Sequence, residues 1–97
     1  MERGGSVYIL TNKHNTTLYT GSAVDLLSRI DEHRQRLYQS SFTARYNLFK
    51  LVFYKSFTRI EEARELERYI KGKSRSWKID LITSSNSKWL DLYDNLQ

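Results

Sequence analysis

The stretch that decides the fold is residues 7–21, which read Val-Tyr-Ile-Leu-Thr-Asn-Lys-His-Asn-Thr-Thr-Leu-Tyr-Thr-Gly. Both ends of this stretch are rich in Val, Ile, Thr and Tyr, the residue types that favour strands. Four polar residues, 13–16, separate the two ends. The pattern predicts a β-hairpin, and therefore the first two strands of an antiparallel sheet.

The pairing register of this hairpin determines which side chains share a face of the sheet. If Asn12 pairs with Thr17, Tyr8 falls opposite Gly21. Tyr19 then becomes a diagonal neighbour of Tyr8 on the same face, about 7–8 Å away. Because glycine has no side chain, Gly21 is expected to leave the sheet uncovered beside Tyr8. Two phenols beside a hollow suggest a site, although paired tyrosines on strands also serve packing alone.

The composition indicates one domain, residues 1–97, with a modest core. The absence of cysteine excludes disulfides and thiolate metal sites. Since there is neither an apolar run of about 18 residues nor a signal-peptide pattern, we expect a soluble, cytoplasmic protein without membrane contact. Sixteen basic and eleven acidic residues give a net charge of +5. This charge favours nucleic acid as a partner, but it is also compatible with a charge that only keeps a small protein soluble.

A helical pattern follows the hairpin over residues 22–39, with Ser22 or Asp25 as the N-cap. Its apolar stripe comprises Leu26, Leu27, Ile30 and Leu37. Arg29 and His33 stand four residues apart, so they should lie side by side at the border between core and solvent. A cleft wall would occupy that border.

The middle of the chain predicts a loop, a third strand and a second helix. Residues 40–47 are mostly polar and predict the loop, whereas residues 49–57 are aromatic and β-branched and predict the strand. Thr58 and Glu61 have capping-box spacing, which indicates that the helix spans residues 59 to about 74.

Glu67 is the most informative residue of this second helix. On a helical wheel it falls within an apolar arc formed by Ile60, Ala63, Leu66 and Ile70. A carboxylate directed at a core is costly unless something pairs with it or binds it. Two interpretations stay open: a structural ion pair with a nearby arginine, or a metal ligand that faces the hairpin.

A basic run follows at residues 71–78, with one tryptophan inside it. Such a run is either a solvated surface or a track for phosphates. Its candidate nucleic-acid contacts are Lys71, Lys73, Arg75 and Lys78. The remaining chain predicts a short apolar turn, a polar break and a last amphipathic piece, at residues 79–82, 83–87 and 89–93.

Taken in order, these segments resemble the GIY-YIG nuclease superfamily, and in particular its small single-domain bacterial members described as predicted endonucleases. The similar positions are Val7-Tyr8-Ile9, Tyr19-Thr20-Gly21, Asp25 to Arg29, His33, Phe42-Thr43, Tyr46-Asn47, 51–54, Glu67, Ile70-Lys71, 77–79, 81–82, Asn86, Trp89 and 91–92. The departures from the usual pattern are Ser6-Val7 for Gly-Ile, Lys55 for an acid, Leu66 for an arginine and Ser87 for a proline.

The resemblance implies an α+β fold in which helices flank a small three-stranded antiparallel sheet. It also implies phosphodiester hydrolysis that depends on one Mg²⁺ or Mn²⁺ ion, with no small-molecule cofactor; a hard carboxylate suits such an ion. The implied site comprises the tyrosines Tyr8 and Tyr19, the phosphate-facing Arg29, the accessory base His33 and the single metal ligand Glu67. Whether Tyr8 or His33 finally accepts the water proton stays open.

Three functions remain in competition at this point. The first is an endonuclease that cuts branched, damaged or distorted DNA, as in DNA repair. The second is a non-catalytic nucleic-acid-binding module with the same fold, and the third is an interaction domain. Because the five implied site groups occur together, the sequence favours the endonuclease. A chain of 97 residues offers little surface for reading bases, so the contacts should be mainly to phosphate.

Overall fold

The computed structural model describes residues 4–35 and 41–96. Its elements, in chain order, are β1 (Gly5–Thr11), β2 (Leu18–Ala23), α1 (Leu26–Arg34), α2 (Phe42–Arg45), β3 (Lys50–Phe57), α3 (Ile60–Lys71), α4 (Arg75–Ser85) and a 3-10 turn (Tyr93–Leu96). The strands form one antiparallel sheet in the order β2-β1-β3. The predicted α+β class, a small three-stranded sheet flanked by helices, is therefore confirmed.

The hairpin has the register that the sequence predicted, with Tyr8 opposite Gly21. Asn12 closes the turn, because its Oδ1 accepts hydrogen bonds from the backbone N–H of Thr16 at 2.8 Å and of Thr17 at 3.1 Å. Asn15 adopts a positive φ of 58°, a conformation that asparagine tolerates better than most residues. The polar turn thus fixes the register through its own side chains.

The two faces of the sheet bury separate apolar clusters. Strand β1 is buried along its whole length, and its side chains alternate between the two clusters. The cluster on the α1 side includes Tyr8, Leu10, Leu26, Ile30, Leu48 and Leu51. The cluster on the side of α3 and α4 includes Val7, Ile9, Val52, Phe53, Ile70 and Ile82. None of the helices over the described ranges is long and apolar enough to cross a membrane.

The first helix is shorter at its start than the predicted span of residues 22–39. Strand β2 continues through Ala23, so Ser22 belongs to the sheet and not to a helix cap. Asp25 is the N-cap, and its side chain accepts a hydrogen bond from the backbone N–H of Ser28 at 3.1 Å. Of the predicted stripe, Leu26 and Ile30 are buried, whereas Leu37 lies outside the described residues.

Three other boundaries differ from the prediction. The polar loop contains the short helix α2, which Ser41 caps. The N-cap of α3 is Arg59, so the capping box that starts at Thr58 is wrong; β3 runs to Phe57, and the helix begins only at Ile60. Residues 79–82 are not a turn but part of α4.

Helix α4 interrupts what the sequence presented as one basic run. Helix α3 ends at Lys71, with Gly72 as its C-cap. Ser74 then caps α4 by accepting a hydrogen bond from the backbone N–H of Trp77 at 3.2 Å. Because Ser74 starts a new helix inside the basic run, the basic residues lie on α3, on α4 and on the linker between them.

Arg34 lies on the apolar side of α1 and contacts the end of the chain, at Asp91 and at the 3-10 turn that begins with Tyr93. Its guanidinium forms an ion pair of 2.6 Å with Asp91 and lies 4.1 Å from the centre of the Tyr93 ring. Asp91 in turn accepts from the backbone N–H of Leu51 at 3.2 Å. This arginine therefore joins α1, β3 and the end of the chain.

Asn86 also serves the fold. The register of β1 and β3 shifts between Ile9 and Leu10, which marks a bulge. The buried amide of Asn86 donates to the carbonyl of Val52 at 3.1 Å and to that of Leu90 at 2.8 Å. It thus satisfies a carbonyl in the irregular part of the sheet.

Gly21→Ala should destabilise the protein, because an added Cβ would lie 2.7 Å from the Tyr8 hydroxyl oxygen and 3.1 Å from Tyr19 Cε2. Overpacking of this kind costs about 1–3 kcal/mol. In a domain of this size each kcal/mol lowers Tm by about 4–8 °C, which thermal unfolding would detect. Gly72→Ala is the matched control: the nearest atom to its Cβ would be 3.6 Å away, so Tm should not fall.

Candidate active site at the edge of the sheet

The ring of Tyr8 lies over Gly21 and reaches the edge of the sheet that β2 forms. Tyr8 has no exposed surface, so the hollow expected beside it is absent: the phenol itself fills the space that Gly21 leaves. The ring of Tyr19 lies on the same face, with its centre 6.3 Å from that of Tyr8. The absence of a side chain at Gly21 therefore admits the phenol and does not expose it.

His33 links this phenol to helix α2. Its Nε2 lies 3.2 Å from the Tyr8 hydroxyl, and its Nδ1 lies 2.8 Å from the hydroxyl of the buried Thr43. An imidazole that carries its proton on Nδ1 would donate to Thr43 and accept from Tyr8. Thr43 thus holds the ring of His33 in place from the side opposite to the phenol.

Burial alters the acid–base properties of both groups. It raises the pKa of Tyr8 well above its ordinary value, and the neighbouring Tyr19 and Glu67 add to this rise, whereas Arg29 opposes it through its charge and a hydrogen bond. Burial also lowers the pKa of His33; the charge of Arg29 lowers it further, and Glu32 acts in the opposite direction. At neutral pH the phenol is therefore protonated, and the imidazole is neutral.

Glu67 lies on the α3 side of the same sheet edge. Its carboxylate accepts a hydrogen bond from the Ser22 hydroxyl and forms an ion pair of 2.6 Å with Lys71. One interpretation of the sequence was a structural ion pair between Glu67 and an arginine. The partner that the structure shows is a lysine. Burial alone would raise the pKa of Glu67, but the hydrogen bonds from Lys71 and Ser22 and the charges of Lys71 and Arg64 lower it.

The Glu67 carboxylate lines a strongly basic pocket. The pocket has a volume of about 310 Å³, and its lining residues are Ser22, Arg64, Glu67, Arg68 and Lys71. Three cations surround one carboxylate there, so the pocket suits an anionic ligand. The side chain of Glu67 is only 20% exposed.

Strand β2 joins the two halves of the site. Ser22 pairs with Val7 and shares its face, whereas the adjacent Gly21 pairs with Tyr8 on the other face. Glu67 therefore approaches β2 from one side and Tyr8 from the other. The halves are close enough for the charge of Glu67 to raise the pKa of Tyr8.

The pocket around Glu67 offers one protein carboxylate to a metal ion. Residues 4–35 and 41–96 contain no group of three or more His, Cys, Asp or Glu side chains placed to hold a metal. The ionised Glu67 fits a hard, largely hydrated cation such as Mg²⁺, which keeps several waters and takes further oxygens from a phosphate. Lys71 would have to release the carboxylate for such an ion to bind.

The four predicted nucleic-acid contacts have different surroundings. Lys71 pairs with Glu67, and Lys73 lies 4.4 Å from the centre of the Tyr69 ring. Arg75 and Lys78 line a separate pocket of about 220 Å³ beside the start of β2.

The sequence did not identify two residues of the site, Ser22 and Thr43, as site residues. Ser22 could have been found, because the hairpin register already places it on the face opposite to Tyr8. Thr43 is one of the positions that carry the resemblance, but nothing in the sequence indicated its contact with His33, because the short helix α2 that brings the two together was expected to be a loop.

The sequence of residues 4–80 matches the family model described as the GIY-YIG catalytic domain. The chain therefore belongs to the GIY-YIG family, a nuclease superfamily, and its substrate class is nucleic acid.

Within this class the chain is similar to UPF0213 proteins. It is 37% identical to one from Clostridium perfringens, over 84% of this chain and 86% of the relative, and 34% identical to one from Syntrophus aciditrophicus, over 78% and 86%. It also resembles the solution NMR structure of a UPF0213 protein from Bacillus halodurans, with 30% identity, a TM-score of 0.58 and coverage of 91% and 92%.

We expect the pKa of His33, followed by NMR of its ring protons, to lie below the ordinary value of about 6.5. Arg29→Met should raise this pKa, because it removes a nearby positive charge. Glu32→Gln should lower it, because it removes a negative charge that favours the imidazolium. Shifts of the same sign in both variants would contradict the described surroundings of His33.

Proposed function

We propose that the protein is an endonuclease that hydrolyses DNA phosphodiester bonds with the help of one Mg²⁺ or Mn²⁺ ion. The observation that carries this proposal is the approach of two different sets of groups to β2. A proton-accepting chain of Tyr8, His33 and Thr43 lies on one side, and an ionised carboxylate, Glu67, lies on the other. Hydrolysis of a phosphodiester needs both a proton acceptor and stabilisation of charge on the phosphate.

The proton acceptor in this proposal is the pair of Tyr8 and His33. Because burial keeps the phenol protonated, Tyr8 alone is a poor base near neutral pH. As the Tyr8 oxygen takes a proton from the attacking water, its own proton passes to Nε2 of His33, which lies 3.2 Å away. Thr43 holds the ring in position for this transfer. The pathway gives both residues a part in accepting the proton.

Arg29 supplies positive charge beside the same phenol. It acts on Tyr8 through a hydrogen bond, is exposed, and lies 3.8 Å from Glu32. A phosphate at the sheet edge would draw this guanidinium away from Tyr8 and open the buried hydroxyl to the attacking water. Arg29 would then stabilise the charge that develops on the phosphate.

Glu67 is the residue that would hold the metal. A bound Mg²⁺ or Mn²⁺ ion supplies Lewis-acid stabilisation of the leaving oxygen and of the phosphate charge. Ser22 orients the carboxylate through its hydrogen bond, and Lys71 keeps it ionised until the ion arrives. Arg64 and Arg68 add positive charge to the pocket into which the DNA backbone would run.

The substrate that we propose is branched, damaged or otherwise distorted DNA, which would suit a role in DNA repair in the cytoplasm. The second candidate is a non-catalytic nucleic-acid-binding module. The contact between Lys71 and Glu67 favours this alternative, because at 2.6 Å the lysine occupies a position on the carboxylate that a metal would need.

Glu67→Gln should abolish Mg²⁺-dependent cleavage of plasmid and branched DNA, because the amide loses the negative charge that holds the ion. Its stability should change little. The lysine partner is itself about half exposed, with a side-chain exposure of 53%, and such pairs contribute about 0–1 kcal/mol. Cleavage assays with Mg²⁺, Mn²⁺ or chelator, together with thermal unfolding, would test both expectations.

Glu65→Gln is the matched control, because Glu65 is an exposed carboxylate on the same helix. It should cleave at the wild-type rate. If Glu67→Gln also cleaves at that rate, Glu67 has no part in the reaction. If neither the wild type nor the variants cleave any substrate with either ion, the non-catalytic module is the better interpretation.

DNA binding in chelator should weaken steeply with salt, because phosphate contacts release counterions. Arg75→Gln with Lys78→Gln should reduce the slope of log K against log salt by about 0.9 per lost phosphate contact on duplex DNA. Titrations followed by fluorescence anisotropy would measure the slope. An affinity that does not depend on salt would contradict the proposed phosphate contacts.

A further inference from the structure

Two large aromatic side chains are exposed beside the candidate active site, one on the first residue of helix α2, Phe42, and one on its C-cap, Tyr46. Phe42 is 48% exposed and Tyr46 is 47% exposed. Their ring centres lie 4.7 Å apart, with 43° between the ring planes. The helix has only four residues, and its buried members are Thr43 and Ala44. The two rings therefore contribute little to the core, and packing of α2 does not account for them.

The exposed rings continue directly into the site. The ring of Phe42 lies 6.3 Å from that of Tyr19, with an interplanar angle of 30°. The ring of Tyr19 lies 5.9 Å from that of His33, which contacts the Tyr8 hydroxyl. Phe42 also directly precedes Thr43, the residue that holds His33 in place. A group that stacks on Phe42 would thus lie beside the rings of Tyr19 and His33.

The charge around these rings indicates what binds to them. The guanidinium of Arg45, on the same helix, lies 5.9 Å from the centre of the Tyr46 ring. Arg29 lies next to Tyr8. Aromatic rings interleaved with arginines match a ligand that combines flat apolar faces with negative charge, which is the chemistry of a nucleic-acid strand.

We propose that Phe42 and Tyr46 form a stacking platform for an unpaired base of the DNA substrate, beside the phosphate that is cut. This inference rests on the proposed endonuclease function and narrows its substrate. A base within an intact duplex keeps both faces stacked on its neighbours and cannot reach the rings. The preferred substrates are therefore single-stranded regions, flaps or bases displaced from the helix, and the platform tolerates any base because every base has a π-face.

The test compares the binding of a fluorescent single-stranded oligonucleotide with that of its duplex, in chelator so that neither is cut. In the double variant Phe42→Leu/Tyr46→Leu, apolar volume remains but the π-faces are lost. We expect the single strand to bind about 5- to 150-fold more weakly than to the wild type, which corresponds to one stacked base. Duplex affinity should change less than about twofold, because its contacts are to phosphates. Equal losses on both ligands, or no loss on either, would overturn the proposal.

Two further variants exclude a general effect on folding. Tyr46→Phe keeps the aromatic face and should bind the single strand like the wild type. Tyr69→Leu removes an aromatic residue that is 55% exposed on α3, and it should leave the ratio of single-strand to duplex affinity unchanged. If Tyr69→Leu lowers that ratio as much as the double variant does, the effect is not specific to the platform and the proposal fails.

One alternative result would give the rings another role. If sedimentation shows a dimer of the wild type that the double variant loses, the rings bind a second copy of the chain and the proposal fails.

The binding test does not depend on cleavage. A failed platform therefore leaves Glu67-dependent cleavage intact, whereas a failed endonuclease proposal appears as absent cleavage with normal single-strand binding.

Discussion

The structure depends on the packing of the Tyr8 ring over Gly21. This contact needs the observed hairpin register, because only that register places the residue without a side chain opposite the tyrosine. It also brings the phenol to the edge of the sheet, where His33 contacts it. A Cβ at position 21 would lie only 2.7 Å from the phenol oxygen. One glycine thus determines both the packing of the first core cluster and the location of the phenol.

The position of β2 at the sheet edge explains how polar groups can serve a site inside so small a fold. Both faces of the sheet are covered by apolar clusters, so neither face offers an open floor for a ligand. At the edge, the alternation of β2 presents Gly21 to one side and Ser22 to the other. Tyr8 and His33, whose pKa values are altered by burial, lie on the first side, and the largely buried carboxylate of Glu67 lies on the second. We infer that the backbone of the nucleic-acid substrate would approach along this edge.

The parts of the fold that depend on local patterns could be predicted from the sequence. The position of the polar turn at residues 13–16 led to the register, and the helical wheel placed Glu67 on the side of α3 that faces the sheet, where it contacts Ser22. Cap positions were harder, because Thr58, Arg59 and Ser22 lie where a strand and a helix compete for the same residues. Helix α4 was missed since its basic first half and apolar second half read as separate segments.

The contacts of the candidate site depend on residues far apart in the chain, so the sequence alone predicted them only in part. The resemblance supplied the five candidate side chains, but not the partners that tune them. The pairing of Glu67 with Lys71 rather than an arginine depends on side-chain reach along α3. The contact between His33 and Thr43 depends on how α2 returns to α1. Neither arrangement leaves a periodic signal in the sequence.

The central claim is that the groups on the two sides of β2 act on one ligand at Glu67. Paramagnetic broadening of side-chain NMR signals by Mn²⁺ tests this claim most directly, because the effect falls steeply with distance from the ion. We expect Mn²⁺ to broaden the ring signals of His33 and Tyr19 in the wild type, and this broadening should disappear in Glu67→Gln. Ring signals that stay sharp while Mn²⁺ binds, or broadening that persists without the carboxylate, would contradict a single site at this edge.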